Sequence, residues 1–139
     1  MSKTSEFRLK RRVQFYETDA AGIVHFSCYL RYLEEAEHGL WRAAGLSIAP
    51  RESEYAWPRV AVACDYRNSL RFEDEFEAHI RVAAMTDRSI RYSCVLSLGD
   101  VEIATLTMAI ACVAKATGRA ASLPPAVRER LEVSADVVA

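Results

Sequence analysis

One stretch of this chain is patterned for a long helix and nearly everything after it for strand, which leaves few architectures open. From Ser27 to Ala44 the apolar residues Tyr29, Tyr32, Leu33, Ala36, Leu40 and Ala43 recur at helical spacing on one face. Arg31, Glu34, Glu35, His38 and Arg42 fall mostly on the other. Gly45 marks a stop, because glycine takes the left-handed conformation that ends helices. Gly39, inside the run, costs about 1 kcal/mol relative to alanine and works against the helix locally.

Beyond Pro58 the period changes to two. Phe76, Ala78, Ile80, Val82 and Ala84 alternate with Glu75, Glu77, His79 and Arg81, and Ile90, Tyr92, Cys94, Leu96 and Leu98 alternate with Arg91, Ser93 and Ser97. Short breaks at residues 85–89 and at Gly99-Asp100 join consecutive strands as antiparallel hairpins. Val101 to Val113 is apolar on both faces and reads as a central strand covered on both sides. Residues 59–70 supply another strand, and Pro124-Pro125 opens a short terminal helix. Phe7, Leu9, Val13 and Phe15 make an extended segment before the long helix. The order is therefore strand, long helix, then four strands in a meander. An antiparallel sheet with one helix buries that helix on one face, giving an α+β sheet curled around a central helix.

A chain of 139 residues suits one domain spanning 1–139, and its net charge of −1 lacks the basic footprint of a nucleic-acid binder. The polar N-terminus and the lack of a long apolar run point to a soluble, cytoplasmic protein with no membrane partner. Cys28, Cys64, Cys94 and Cys112 are scattered through apolar segments, as small buried residues in a reducing compartment are. No close His or Cys spacing suggests a metal, so none is expected. His38 and His79 sit on faces that read as solvated; the acidic run Glu34, Glu35 and Glu37 reads as a solvated helix face or as a source of a carboxylate for the neighbouring pocket.

The chemistry concentrates in Tyr16-Glu17-Thr18-Asp19-Ala20-Ala21-Gly22-Ile23-Val24-His25-Phe26, where a carboxylate, a turn and a helix start lie within a few residues. Helix N-termini carry unpaired N–H groups and partial positive charge, which favour an ionised carboxylate and a developing oxyanion. On residue type alone, Asp19 suits a cap or turn as well as a reaction. Glu17 and Thr18 read as structural members of the same loop.

Asp19-Ala20-Ala21-Gly22-Ile23-Val24, the aromatic that follows, Tyr29 and the long acidic helix resemble the hotdog-fold acyl-CoA thioesterases, in particular the 4-hydroxybenzoyl-CoA thioesterase branch. The resemblance implies the hotdog fold and hydrolysis of an acyl-CoA without a cofactor beyond the substrate's own coenzyme A. It also implies a homodimer that assembles further to a homotetramer. Asp19 matches the family's catalytic aspartate, acting as nucleophile or as general base. Gly22 would permit a special backbone conformation or close approach. The N–H groups of Val24, His25 and Phe26 are the oxyanion candidates, with Phe26 best aligned to the polarising amide. His25 departs from the usual aromatic and is either a proton carrier or a packed side chain. Tyr29 either reaches the substrate or packs, and Trp57-Pro58 is a further candidate for the pocket border. Arg88, Arg91, Lys115 and Arg119 are available for coenzyme A phosphates at strand ends or loops. Aryl and short or medium aliphatic acyl groups both stay open. The alternatives are a thioesterase for acyl carrier protein and a non-catalytic acyl-ligand binding domain.

Overall fold

The computed structural model describes residues 2–135. In chain order it has β1 (Glu6–Arg12), a 3-10 turn (Phe15–Glu17), α1 (Cys28–Ala43), β2 (Tyr55–Ala56), β3 (Arg59–Tyr66), β4 (Glu75–Met85), β5 (Ser89–Leu98), β6 (Val101–Ala111), β7 (Val113–Ala114), β8 (Arg119–Ala120) and α2 (Pro125–Arg130). The main sheet has five strands in the order β1-β4-β5-β6-β3, with antiparallel pairing throughout. A second small sheet joins β2, β7 and β8.

The helix forms where its periodicity places it, and Tyr32, Leu33, Ala36 and Leu40 are fully buried on its apolar face. Opposite them the sheet presents Phe76, Ala78, Ile80 and Val82 from β4, Ile90, Tyr92 and Leu96 from β5, and Leu106 and Ile110 from β6. The alternation along each strand is what puts these residues on one face. Gly39 lies where β1 crosses α1: a Cβ there would overlap the Phe7 ring. The residue that weakens the helix locally thus admits the Phe7 ring. Gly45, at φ +76°, ends the helix as its position predicts.

Four expectations change. The meander has three strands, β4-β5-β6, because β3 pairs with β6 at the far edge and leaves the free side of β4 to β1. This crossover carries residues 67–74 across the end of the sheet. Strand β6 is covered on one face only: Leu106, Met108 and Ile110 are buried while Thr107 is exposed. A register shift opposite Leu96 and Ser97 turns both Ile103 and Ala104 inward, which explains the two-sided apolar pattern. Phe15 is not extended but begins the 3-10 turn and is 73% exposed. His79 is buried, its Nε2 lying 2.8 Å from the Glu6 carboxylate on the neighbouring strand. That contact holds the Glu6 carboxyl below its ordinary value against the opposing effect of burial.

Candidate active site

Between β1 and α1 the backbone folds into a miniature hairpin. The His25 N–H donates to the Glu17 carbonyl at 2.8 Å, Thr18 bridges Val24, and the Asp19 N–H donates to the Ile23 carbonyl at 2.8 Å. Its tip is the turn Asp19-Ala20-Ala21-Gly22, closed by the Gly22 N–H on the Asp19 carbonyl at 2.9 Å. Gly22 has φ +82°, which a side chain would strain. Among the described residues only Arg71 Nη1, at 3.9 Å, approaches its missing Cβ, so conformation rather than crowding requires glycine here. Asp19 is therefore at a hairpin tip, several residues before the helix start.

The Asp19 carboxylate divides its duties. Oδ1 accepts the Ala21 N–H at 2.8 Å, an Asx-type contact that stiffens the turn. Oδ2 has no hydrogen-bond partner among the described residues. The turn reading of this aspartate is thus met by Oδ1, and Oδ2 is left uncommitted.

The three candidate oxyanion amides are not equivalent. Val24 N–H donates to the Leu70 carbonyl at 2.8 Å, and His25 N–H is committed to Glu17. Val24 and His25 are thereby corrected as oxyanion donors, since a backbone N–H already paired has little left for a ligand. Phe26 N–H has no partner among the described residues. The Phe26 carbonyl accepts the Tyr66 hydroxyl at 2.8 Å, which fixes this turn of chain from the end of β3.

Asp19, Val24, Phe26, Tyr29, Tyr66 and Arg67 line one open cleft of about 340 Å³. Tyr29 is 3% exposed, meets the Tyr66 ring at a tilt with centroids 4.9 Å apart, and has its hydroxyl pushed above the usual value by burial. It is a packed wall of the cleft. Tyr66 and Arg67 were invisible in the sequence, because β3 joins the site only through the crossover. Arg67 and Arg71 form no ion pair among the described residues. Arg88, Arg91, Lys115 and Arg119 do not line this cleft.

The His25 ring instead borders a second cavity of about 610 Å³ with Arg11, Glu17, Cys28 and Arg31. Its Nδ1 lies 2.8 Å from Ser27 Oγ and accepts the Ser27 N–H at 3.2 Å, so the neutral ring carries its proton on Nε2. The ring stacks on Phe26 at 4.6 Å. Trp57 is also elsewhere, meeting Trp41 at 5.0 Å in a cavity toward the far end of α1.

The acidic run on α1 does not uniformly face solvent. Glu37 is fully buried, paired with Arg59 of β3, and its Oε2 lacks a hydrogen-bond partner of good geometry. Burial outweighs the Arg59 attraction and the Tyr92 hydroxyl, raising the carboxyl to about 7. The Tyr92 oxygen in turn accepts the Trp41 indole N–H at 2.9 Å.

An antiparallel sheet about one long helix, with this hairpin at one end, is the hotdog architecture of thioester hydrolases. A crystal structure of a hypothetical protein from Aquifex aeolicus superposes with TM-score 0.84 and 33% identity, covering 88% of this chain and 97% of that one. The 1,4-dihydroxy-2-naphthoyl-CoA thioesterase from Synechocystis superposes with TM-score 0.83, covering 88% and 93% of the two chains, and at 20% identity bears on the fold alone. The chain belongs to the thioesterase-like superfamily, whose pattern it matches over residues 13–131, and is a thioester hydrolase. In sequence it is 34% identical over 127 residues to a protein of Aquifex aeolicus (strain VF5) whose name proposes an esterase, covering 91% of this chain and 98% of the other. It is 25% identical over 135 residues to the 1,4-dihydroxy-2-naphthoyl-CoA hydrolase of Synechococcus elongatus, covering 95% and 99%.

Proposed function

We propose that this chain is an acyl-CoA thioesterase of the 4-hydroxybenzoyl-CoA thioesterase type, hydrolysing a small aryl or short- to medium-chain acyl-CoA to the free acid and coenzyme A. The observation that carries this reading is the pairing in one cleft of Asp19, with one uncommitted oxygen, and Phe26, with an uncommitted N–H. Thioester hydrolysis asks for those two groups: one to deliver the nucleophile and one to receive the oxyanion.

The carbonyl oxygen of the substrate points at the Phe26 N–H. With Asp19 as general base, the carboxylate takes a proton from water, hydroxide adds to the carbonyl carbon, and collapse of the tetrahedral adduct breaks the C–S bond. The proton held by Asp19 then passes to the departing thiolate. With Asp19 as nucleophile, its oxygen adds to the carbon, the thiolate leaves, and water cleaves the mixed anhydride. Neither route calls for a metal or redox cofactor. Tyr29, Tyr66 and Phe26 favour an aryl acyl group, as the naphthoyl-CoA name of a relative also does. Arg67 and Arg71 supply positive charge for the coenzyme A phosphates.

The working form is a homodimer that assembles to a homotetramer. Supporting this, β3 is a sheet edge with Val60 61% exposed and Val62 50% exposed, and it ends at Tyr66 in the cleft. Bare apolar sheet edges invite pairing with another strand. Thiol release from a panel of aryl and aliphatic acyl-CoAs tests the function. Asp19→Asn and Asp19→Ala are expected to lower kcat at least 100-fold, on the order of 3 kcal/mol in the barrier, with the melting temperature little changed. Retained activity in both folded variants would remove Asp19 from the reaction.

A further inference from the structure

We infer that Glu17 is the positioning residue of this site, the fixed foot on which the Asp19 hairpin and the Phe26 amide stand. The inference rests on the thioesterase reading for its effect on turnover, and on geometry alone for its effect on the loop.

Glu17 is a carboxylate at 6% exposure that receives four hydrogen bonds. Arg11 of β1 grips it with both terminal nitrogens, Nη1 to Oε1 at 3.0 Å and Nη2 to Oε2 at 2.6 Å. The Gln14 N–H donates to Oε1 at 2.8 Å, and the Tyr32 hydroxyl of α1 donates to the same oxygen at 3.0 Å. Arg11 also reaches Glu35 of α1 at 3.0 Å and lies with its Cζ 5.1 Å from the centre of the Tyr32 ring. One carboxylate therefore ties together strand, turn and helix, the three elements that meet at the site. A forked guanidinium on a planar carboxylate fixes orientation as well as distance.

The same residue sets the loop through its backbone. Its carbonyl accepts the His25 N–H at 2.8 Å and lies 3.6 Å from Cys28 Sγ. Two residues further on is Asp19, and one residue beyond His25 is Phe26. By occupying the His25 amide, Glu17 closes the hairpin and leaves the next N–H, that of the cleft-lining Phe26, without a partner among the described residues. A displacement of Glu17 moves the carboxylate and the amide together, and reaction rate is steep in such misplacement. Burial works against the charged form of Glu17, but Arg11, the Gln14 N–H and the Tyr32 hydroxyl prevail and hold the carboxyl below its ordinary value.

Glu17→Gln keeps the side-chain shape and an acceptor for Tyr32 while removing the charge that Arg11 grips; Glu17→Ala removes all four contacts. Steady-state kinetics on the best acyl-CoA of the panel should show kcat reduced about tenfold in Glu17→Gln and about 100-fold in Glu17→Ala, with KM within twofold. Ile80→Val, a core substitution away from the site, serves as a control for lost stability. A residue of structural value only would lower the melting temperature as Ile80→Val does and leave kcat of the folded enzyme unchanged, and that result would overturn the proposal. Amide hydrogen exchange needs no substrate: Val24 and His25 should exchange at least tenfold faster in Glu17→Gln. Unchanged exchange there sinks the proposal even if native protein hydrolyses no acyl-CoA, whereas faster exchange beside an inactive native protein sinks the thioesterase reading and leaves the positioning of the loop standing.

Discussion

Glu37 is the fully buried carboxylate of α1. The groups acting on it are Arg59 from β3, Tyr92 from β5, and Glu34 on its own helix, with the His38 imidazole Nε2 3.9 Å away. A carboxyl raised from 4.5 to about 7 favours the folded state fully below pH 4.5, and that advantage disappears as pH rises through 7. Above that range the ionised form costs on the order of 3 kcal/mol relative to a group with an unshifted value. Glu37→Gln, which cannot ionise, should therefore gain stability relative to the native protein between pH 5 and pH 8. Thermal melts across that range check it, and a constant difference between the two proteins would refute it. His38, lowered mainly by burial, titrates with the opposite sign. It is present in both proteins and largely cancels in the difference. The position of Glu37 was legible in principle: it stands four residues after Leu33 and four before Trp41, on the apolar face. Reading the acidic run as one solvated patch hid that spacing. Tyr66 and Arg67 were beyond such a reading, because no periodicity within β3 records that its end lies beside Phe26.

At the scale of elements, the contact of α1 with β1 shows how a local propensity yields to packing. Alanine at Gly39 would improve helix propensity by about 1 kcal/mol. Its Cβ would also meet three atoms of the Phe7 ring within 3.0 Å. Overpacking of that kind typically costs 1–3 kcal/mol, so Gly39→Ala is expected to lower stability by about 1 kcal/mol. Denaturant titration measures the change, and a more stable variant would mean that the Phe7 ring swings aside freely. The helix and the strands were readable because each is long and strictly periodic, and their types survived in the folded chain. Strand order was less readable. Only pairing across the whole chain decides that β3 joins β6 rather than β4, and this crossover brings Tyr66 to the cleft. The hairpin of residues 17–25 was likewise compressed in the sequence reading into a handover from strand to helix.

For the whole molecule, the feature to test is β3, the edge strand of the main sheet, with its exposed apolar side chains. Val60, Val62 and Tyr66 put apolar surface on an unpaired sheet edge beside the exposed Phe26 ring. Charge placed on an edge strand discourages pairing. Val62→Lys should convert the proposed dimer to monomer in sedimentation or light-scattering measurements at micromolar concentration, and lower kcat/KM at least tenfold by exposing the cleft. An unchanged mass would place the interface elsewhere. No helix among the described residues is long and apolar enough to cross a membrane. The frame of the site has a different topology from the sheet that carries it. Arg11, Gln14, Glu17, His25, Tyr32 and Glu35 are close in sequence, so their contacts close short loops, whereas β1 reaches β4 across about half of the chain. Short loops cost little entropy to close again after opening. The hairpin therefore recloses readily, but opening it also breaks the Val24 N–H bond to the Leu70 carbonyl and the Ile23–Arg71 bridge, so it is latched to the crossover of residues 67–74 rather than free to open alone.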